Sequence, residues 1–68
     1  MTVYVPMLDE GTTVWRPVEA ELVGDDLFRL SPTAIIPEGE VWRFLPGQVV
    51  RCERKKLSGG EVWVAVGD

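Results

Sequence analysis

The sequence predicts one small all-β domain, an antiparallel barrel of about six short strands that spans residues 1–68. Apolar and polar residues alternate along several short runs, which is the period of a strand with one buried face. Turn residues separate these runs at intervals of about 8–12 residues. A chain of 68 residues has room for a single core. Closing so short a sheet into a barrel removes its exposed edges, and we therefore expect a barrel.

Six runs of residues carry the strand pattern. They are 2–8, 13–23, 27–30, 41–45, 48–57 and 61–66. The first contains Pro6, which cannot donate to a ladder and belongs at an edge or a bulge. In the second, the even positions include Val18 and Ala20 and predict the core face, and a bulge is expected at Arg16-Pro17. The second half of the fifth run is charged and should project beyond the core.

Turn chemistry marks the connections between these runs. Asp9-Glu10-Gly11-Thr12 and Gly24-Asp25-Asp26 predict reversals after the first two strands, and Ser58-Gly59-Gly60 predicts the last hairpin turn. Pro46-Gly47 fits the central positions of a type II turn, because proline presets a negative φ and glycine supplies the positive one. The longest irregular connection is 31–40, where Ile35 and Ile36 are expected to cover one end of the core.

Composition argues against catalysis and against a cofactor. The chain has no histidine, so it lacks the commonest general base and the imidazole of nucleophilic triads. Cys52 is the only cysteine, which rules out an internal disulfide, and its parity with Val50 predicts a small buried side chain. We expect no metal site and no enzyme activity.

Hydropathy predicts a soluble chain that stays in the cytoplasm. Uninterrupted apolar runs such as Ala34-Ile35-Ile36 are a few residues long, whereas a membrane-spanning helix needs about 20. The first five residues lack the positive charge and apolar core of a signal peptide.

Three segments carry a resemblance to a group of short, stand-alone bacterial proteins of unassigned function. They are Glu10-Gly11-Thr12, the run from Val14 to Ala20 and the run from Phe44 to Cys52. The chain is similar to this group over its whole length. The resemblance implies an SH3-like barrel and implies no activity.

The leading hypothesis is an interaction module that binds a protein or a peptide through aromatic and arginine side chains. Trp15, Arg16, Trp42 and Arg43 are the candidate binding residues, because tryptophan and arginine are enriched at binding hot spots. Simple alternation points Trp15 away from the core. A bulge at Pro17 that turns the ring inward, or packing under the 31–40 connection, is the alternative.

A second hypothesis is a barrel that binds nucleic acid. Arg51, Arg54, Lys55 and Lys56 form a basic cluster that could meet phosphates. The net charge of −4 disfavours this function, since affinity for phosphate backbones comes mainly from positive charge. A solvated hairpin whose charges prevent aggregation explains the same cluster. A homodimer formed through an edge strand is a further prediction.

Overall fold

The computed structural model describes residues 1–8, 11–57 and 59–67. These residues form five strands: β1 (Thr2–Pro6), β2 (Trp15–Leu22), β3 (Leu27–Leu30), β4 (Val49–Leu57) and β5 (Gly60–Gly67). Each strand pairs antiparallel with the next, and β5 pairs with β1 to close the barrel. The closing pair is parallel, because five strands of alternating direction leave the first and last running the same way. The predicted all-β barrel is confirmed, with five strands.

The core follows the alternation that the sequence shows. On β2, Val18 and Ala20 are buried while Glu19 between them is exposed, and Phe28 and Leu30 on β3 are fully buried. Eleven of the buried residues form one cluster inside the barrel: Val3, Val5, Val18, Ala20, Phe28, Leu30, Trp42, Phe44, Val50, Cys52 and Ala65.

The structure corrects the predicted bulge on β2. The pairing between β1 and β2 is continuous from Thr2 with Glu19 to Pro6 with Trp15, so no bulge interrupts it at Arg16-Pro17. Among the described residues the register shift lies on β4 instead, between Arg51 and Cys52. Pro6 is the last residue of β1, where its missing N–H interrupts no further pairing.

Residues 41–45 do not form the predicted strand. Their burial alternates, with Trp42 and Phe44 inside. Among the described residues, however, this segment makes a single strand-like pairing, an isolated bridge from Trp42 to Met7. The backbone bonds of this segment run to the chain at and beyond the end of β1, from Leu8 N to Val41 O and from Arg43 N to Pro6 O. The segment closes one end of the barrel, where Trp42 and Phe44 join the core cluster.

Two of the predicted turns are confirmed by their hydrogen bonds. The Val23 N–H donates to Leu27 O at 2.8 Å around the 24–26 loop. The Gln48 N–H donates to Leu45 O at 3.1 Å, and Gly47 has a φ of 86°, as a type II turn requires. Asp9 and Glu10 of the first predicted turn, and Ser58 of the last, lie outside the described residues.

The 31–40 connection covers the core with one of the two isoleucines expected. Ala34 and Ile36 pack against the core cluster. Ile35 is 84% exposed, so the prediction for this residue is wrong. In the part of the chain that the structure describes, no helix is long and apolar enough to cross a membrane.

Candidate functional site

Trp42 lies in the core, which corrects its assignment as a surface anchor. Its side chain is 5% exposed, and its indole N–H donates to Glu40 Oε1 at 3.0 Å. Arg16 binds the same carboxylate through two bonds: its Nε donates to Oε1 at 3.0 Å and its Nη2 to Oε2. We call these three residues the Arg16–Glu40–Trp42 cluster.

This cluster ties the 31–40 connection to the barrel wall. Arg16 has the parity of Val18 and Ala20, so it leaves β2 on the core side at the end of the barrel, where Glu40 meets it. The hydrogen bond from Arg16, followed by that from Trp42, holds the pKa of Glu40 below its usual value. The same bond raises the pKa of Arg16. The side chains of Arg16, Glu40 and Trp42 therefore bind one another by hydrogen bonds within the fold.

Arg43 is not part of an exposed aromatic patch. Its guanidinium lies 5.1 Å from the centroid of the neighbouring Phe44 ring, and Phe44 belongs to the core. The four predicted site residues therefore do not form one patch. Arg16 and Trp42 meet at Glu40, Arg43 meets Phe44, and Trp15 meets Lys55.

Trp15 lies on the outer face of the barrel, as alternation predicts, and is half-buried there. It borders a groove of about 430 Å³, which we call the Trp15 groove. Six residues line it: Tyr4, Thr13, Val14, Trp15, Leu57 and Val62. The ammonium of Lys55 lies 5.5 Å from the centroid of the Trp15 ring, so a cation stands beside the aromatic wall.

Apolar side chains also lie on the outer face of the sheet near this groove. Along β5, Trp63 and Ala65 face the core, so Val62 and Val64, which alternate with them, face outward. Val64 pairs with Tyr4 across the parallel closing pair. It is 2% exposed although it is not a member of the core cluster. Apolar packing therefore continues on the outer surface of the barrel.

The groove carries two polar side-chain groups, one from Trp15 and one from Tyr4. Among the described residues, the Trp15 indole N–H and the Tyr4 hydroxyl make no side-chain hydrogen bond, and no buried side-chain nitrogen or oxygen lacks a partner. Neither group therefore has a side-chain partner in residues 1–8, 11–57 and 59–67. They can donate to a ligand, and the tyrosine oxygen can also accept.

Two of the four basic residues of the cluster on β4 are paired with carboxylates, and the cluster is divided between two faces. Arg51 lies 3.5 Å from Glu53, and Arg54 lies 3.3 Å from Glu61. No carboxylate of the described residues lies within salt-bridge distance of Lys55 or Lys56. These two lysines point to opposite faces of the hairpin, because they are adjacent on a strand.

The sequence interpretation missed Tyr4, Leu57 and Val62 as site residues. Tyr4 alternates with the core residues Val3 and Val5, and this was the available signal that its ring faces outward. Leu57 and Val62 are distant from Trp15 in the sequence. They reach the groove only because β4 and β5 pair as a hairpin and β5 closes on β1.

The thiol of Cys52 is buried, as predicted. It is 1% exposed, and desolvation together with the charge of Asp26 raises its pKa to about 11. No cluster of three carboxylate or thiol groups suited to a metal ion occurs in the described ranges.

Comparison with known proteins matches this chain to no protein-family model, no curated protein and no solved structure. The Trp15 groove is therefore the basis for assigning a function.

Proposed function

We propose that this barrel is a non-catalytic interaction module that binds a peptide segment of another protein in the Trp15 groove. The observation that carries the proposal is the outward, half-buried Trp15 beside Tyr4 in one groove, where the polar atoms of both rings make no side-chain hydrogen bond among the described residues. Tyrosine and tryptophan provide a large apolar contact area and a polar atom in one rigid side chain, which explains their enrichment at binding hot spots.

The size and lining of the groove support a peptide side chain as the bound group. Ligand sites are concave, have volumes of about 300–1,000 Å³, and combine apolar walls with a few placed polar groups. The Trp15 groove has a volume of about 430 Å³, walls from Val14, Leu57 and Val62, and a hydroxyl from Thr13 at its border. One or two apolar side chains would fill such a site.

The chemistry of the chain supports binding without catalysis. The sequence contains no histidine. The Cys52 thiol, the only thiol of the chain, is buried and has a raised pKa, so it is a poor nucleophile.

Binding of single-stranded nucleic acid is the second candidate. One cation–ring pair on the outer face favours it, because Lys55 lies over Trp15. The ring beside Arg54, that of Trp63, packs against the core instead. Stacking rings beside basic side chains are typical of single-strand binders. The ion pairs of Arg51 and Arg54 and the net charge of −4 weigh against it. This candidate predicts binding that weakens steeply with added salt.

Selection from a random dodecapeptide library displayed on phage tests the peptide proposal. We expect selected peptides to bind the wild-type barrel and to lose at least about thirtyfold in affinity with Trp15→Ala, the loss of a hot-spot residue. Leu57→Ser, a change near the last turn, should weaken the same peptides. Ile35→Ala alters an exposed apolar residue outside the groove and is the matched control.

Circular dichroism of each variant separates lost binding from lost folding. Selected peptides whose affinity is the same for Trp15→Ala and for the wild type would contradict the proposal. Salt-sensitive binding of a (dT)12 oligonucleotide, with no Trp15-dependent peptide, would favour the second candidate.

A further inference from the structure

We infer that the bound peptide is extended and acidic, with an apolar side chain against Trp15 and Tyr4 and an Asp or Glu that pairs with Lys55. This inference rests on the proposed function and specifies the chemistry of its partner.

Charge complementarity points to a carboxylate. Lys55 stands at the border of the groove with its ammonium on the Trp15 ring, and no carboxylate of the described residues lies within salt-bridge distance of it. The two arginines that precede Lys55 on β4, Arg51 and Arg54, are each paired with a glutamate. Among the described residues, the ammonium of Lys55 is thus a positive charge beside the groove that no carboxylate matches and that a ligand carboxylate would complement.

The distance between Lys55 and Trp15 sets the spacing of the two contacts. The ammonium lies 5.5 Å from the ring centroid. An extended chain advances about 3.3 Å per residue. An apolar side chain on the Trp15 ring therefore places a carboxylate on Lys55 when the acidic residue is one or two positions away.

The polar side-chain atoms of Trp15 and Tyr4 favour a bound peptide with an extended backbone. The Trp15 indole N–H and the Tyr4 hydroxyl can donate to peptide carbonyl groups. A helix uses its own carbonyls internally, whereas an extended or polyproline-type segment leaves them free. An extended segment can therefore satisfy both donors while it fills the groove.

The net charge of −4 opposes an acidic peptide at long range but not at the contact itself. At physiological salt, screening limits interactions between exposed charges to about 8 Å. The preference for an acidic residue must therefore come from Lys55, and it should disappear when this one charge is changed.

Two dodecapeptide libraries test the inference, one with all amino acids and one without Asp and Glu. We expect the complete library to yield the tighter Trp15-dependent peptides, with an acidic residue one or two positions from an apolar residue. Equal affinities from the two libraries would overturn the acidic preference and leave the proposed function intact. If neither library yields a Trp15-dependent peptide, the proposed function fails as well.

Variants at two adjacent lysines sharpen the test. Lys55→Gln should weaken the best acidic peptide about threefold, as expected for an exposed ion pair, and Lys55→Glu about tenfold. Lys56→Glu makes the same charge change on the opposite face of the hairpin and should leave affinity within about twofold. Replacing the acidic residue of the peptide by Lys should restore binding to Lys55→Glu. Equal effects of Lys55→Glu and Lys56→Glu would overturn the specific contact.

Discussion

The same tripeptide has two different roles in this chain. Val-Trp-Arg occurs at Val14-Trp15-Arg16 and at residues 41–43, yet Trp15 lies on the outer face while Trp42 is buried. Strand parity directs Trp15 outward and places Arg16 on the core side. Trp42 points inward because the segment that carries it closes the end of the barrel. The same tripeptide therefore places its tryptophan on the outer face at one position and in the core at the other, and its place in the fold decides which.

At the residue scale, Glu40→Gln should make the barrel less stable at pH 7 and reduce the pH dependence of its stability. The folded pKa of Glu40 is lowered by Arg16 and Trp42. The charged form therefore contributes stability above the unfolded pKa, about 4.3, and this contribution is lost as pH falls through the folded pKa. Urea unfolding midpoints at pH 7 and pH 3 measure both effects.

Glu38→Gln is the control for this measurement, because Glu38 is an exposed neighbour in the same connection. Its midpoints should follow those of the wild type. An unchanged pH dependence in Glu40→Gln would show that the Arg16–Glu40–Trp42 cluster does not stabilise the fold.

A second residue-scale prediction concerns thiol reactivity. Cys52 should resist a disulfide reagent in the folded protein at pH 8 and react fully in urea. Its pKa of about 11 leaves about one part in a thousand as thiolate at that pH, and the sulfur is buried. The absorbance of the released thiol gives the rate. Rapid reaction of the native protein would contradict the burial of the Cys52 thiol.

At the element scale, alternation alone does not make a strand. Residues 41–45 alternate in burial as β2 does, but β2 has a partner strand on either side and this segment has only one bridge. A strand needs lateral hydrogen bonds, and these depend on which chain segments lie beside it. The pattern therefore predicted which side chains are inside and did not predict the ladder.

The Pro46-Gly47 turn gives a prediction at this scale. Gly47→Ala should destabilise the barrel by about 1–2 kcal/mol, because Gly47 has a φ of 86° and a Cβ is strained in that conformation. Steric contact adds little, since the nearest atom to an added Cβ is 3.7 Å away, on Pro32.

Gly11→Ala is the matched control for Gly47→Ala. Its added Cβ has no atom within 4 Å, and its φ is not in the positive region. Chemical denaturation of both variants gives the comparison. Equal stabilities would show that the positive φ at Gly47 has no energetic importance.

At the scale of the whole molecule, one core holds the closed ring together. Every strand contributes at least one residue to the core cluster, and the 41–45 segment adds Trp42 and Phe44. The ring closes between β1 and β5, the two ends of the sheet. Dimerisation through an edge strand stays a prediction, which the mass in solution would test.

Deletion of core volume should therefore destabilise the whole barrel. Leu30→Ala removes a fully buried side chain and should lower the free energy of unfolding by about 2–5 kcal/mol. Ile35→Ala removes a similar aliphatic group at an exposed position and should change this energy by at most about 0.5 kcal/mol. Urea denaturation followed by tryptophan fluorescence measures both. Similar losses would contradict the single core.

The sequence by itself determined the fold class, the faces of β2 and β3, the turns at 24–26 and Pro46-Gly47, and the burial of Cys52. These features depend on local periodicity and backbone preference, which neighbouring residues encode. Tertiary structure alone decided that Trp42 is buried and bonded to Glu40, and that Tyr4, Leu57 and Val62 join Trp15 in one groove. Such contacts arise from barrel closure, which brings together residues that no sequence period relates.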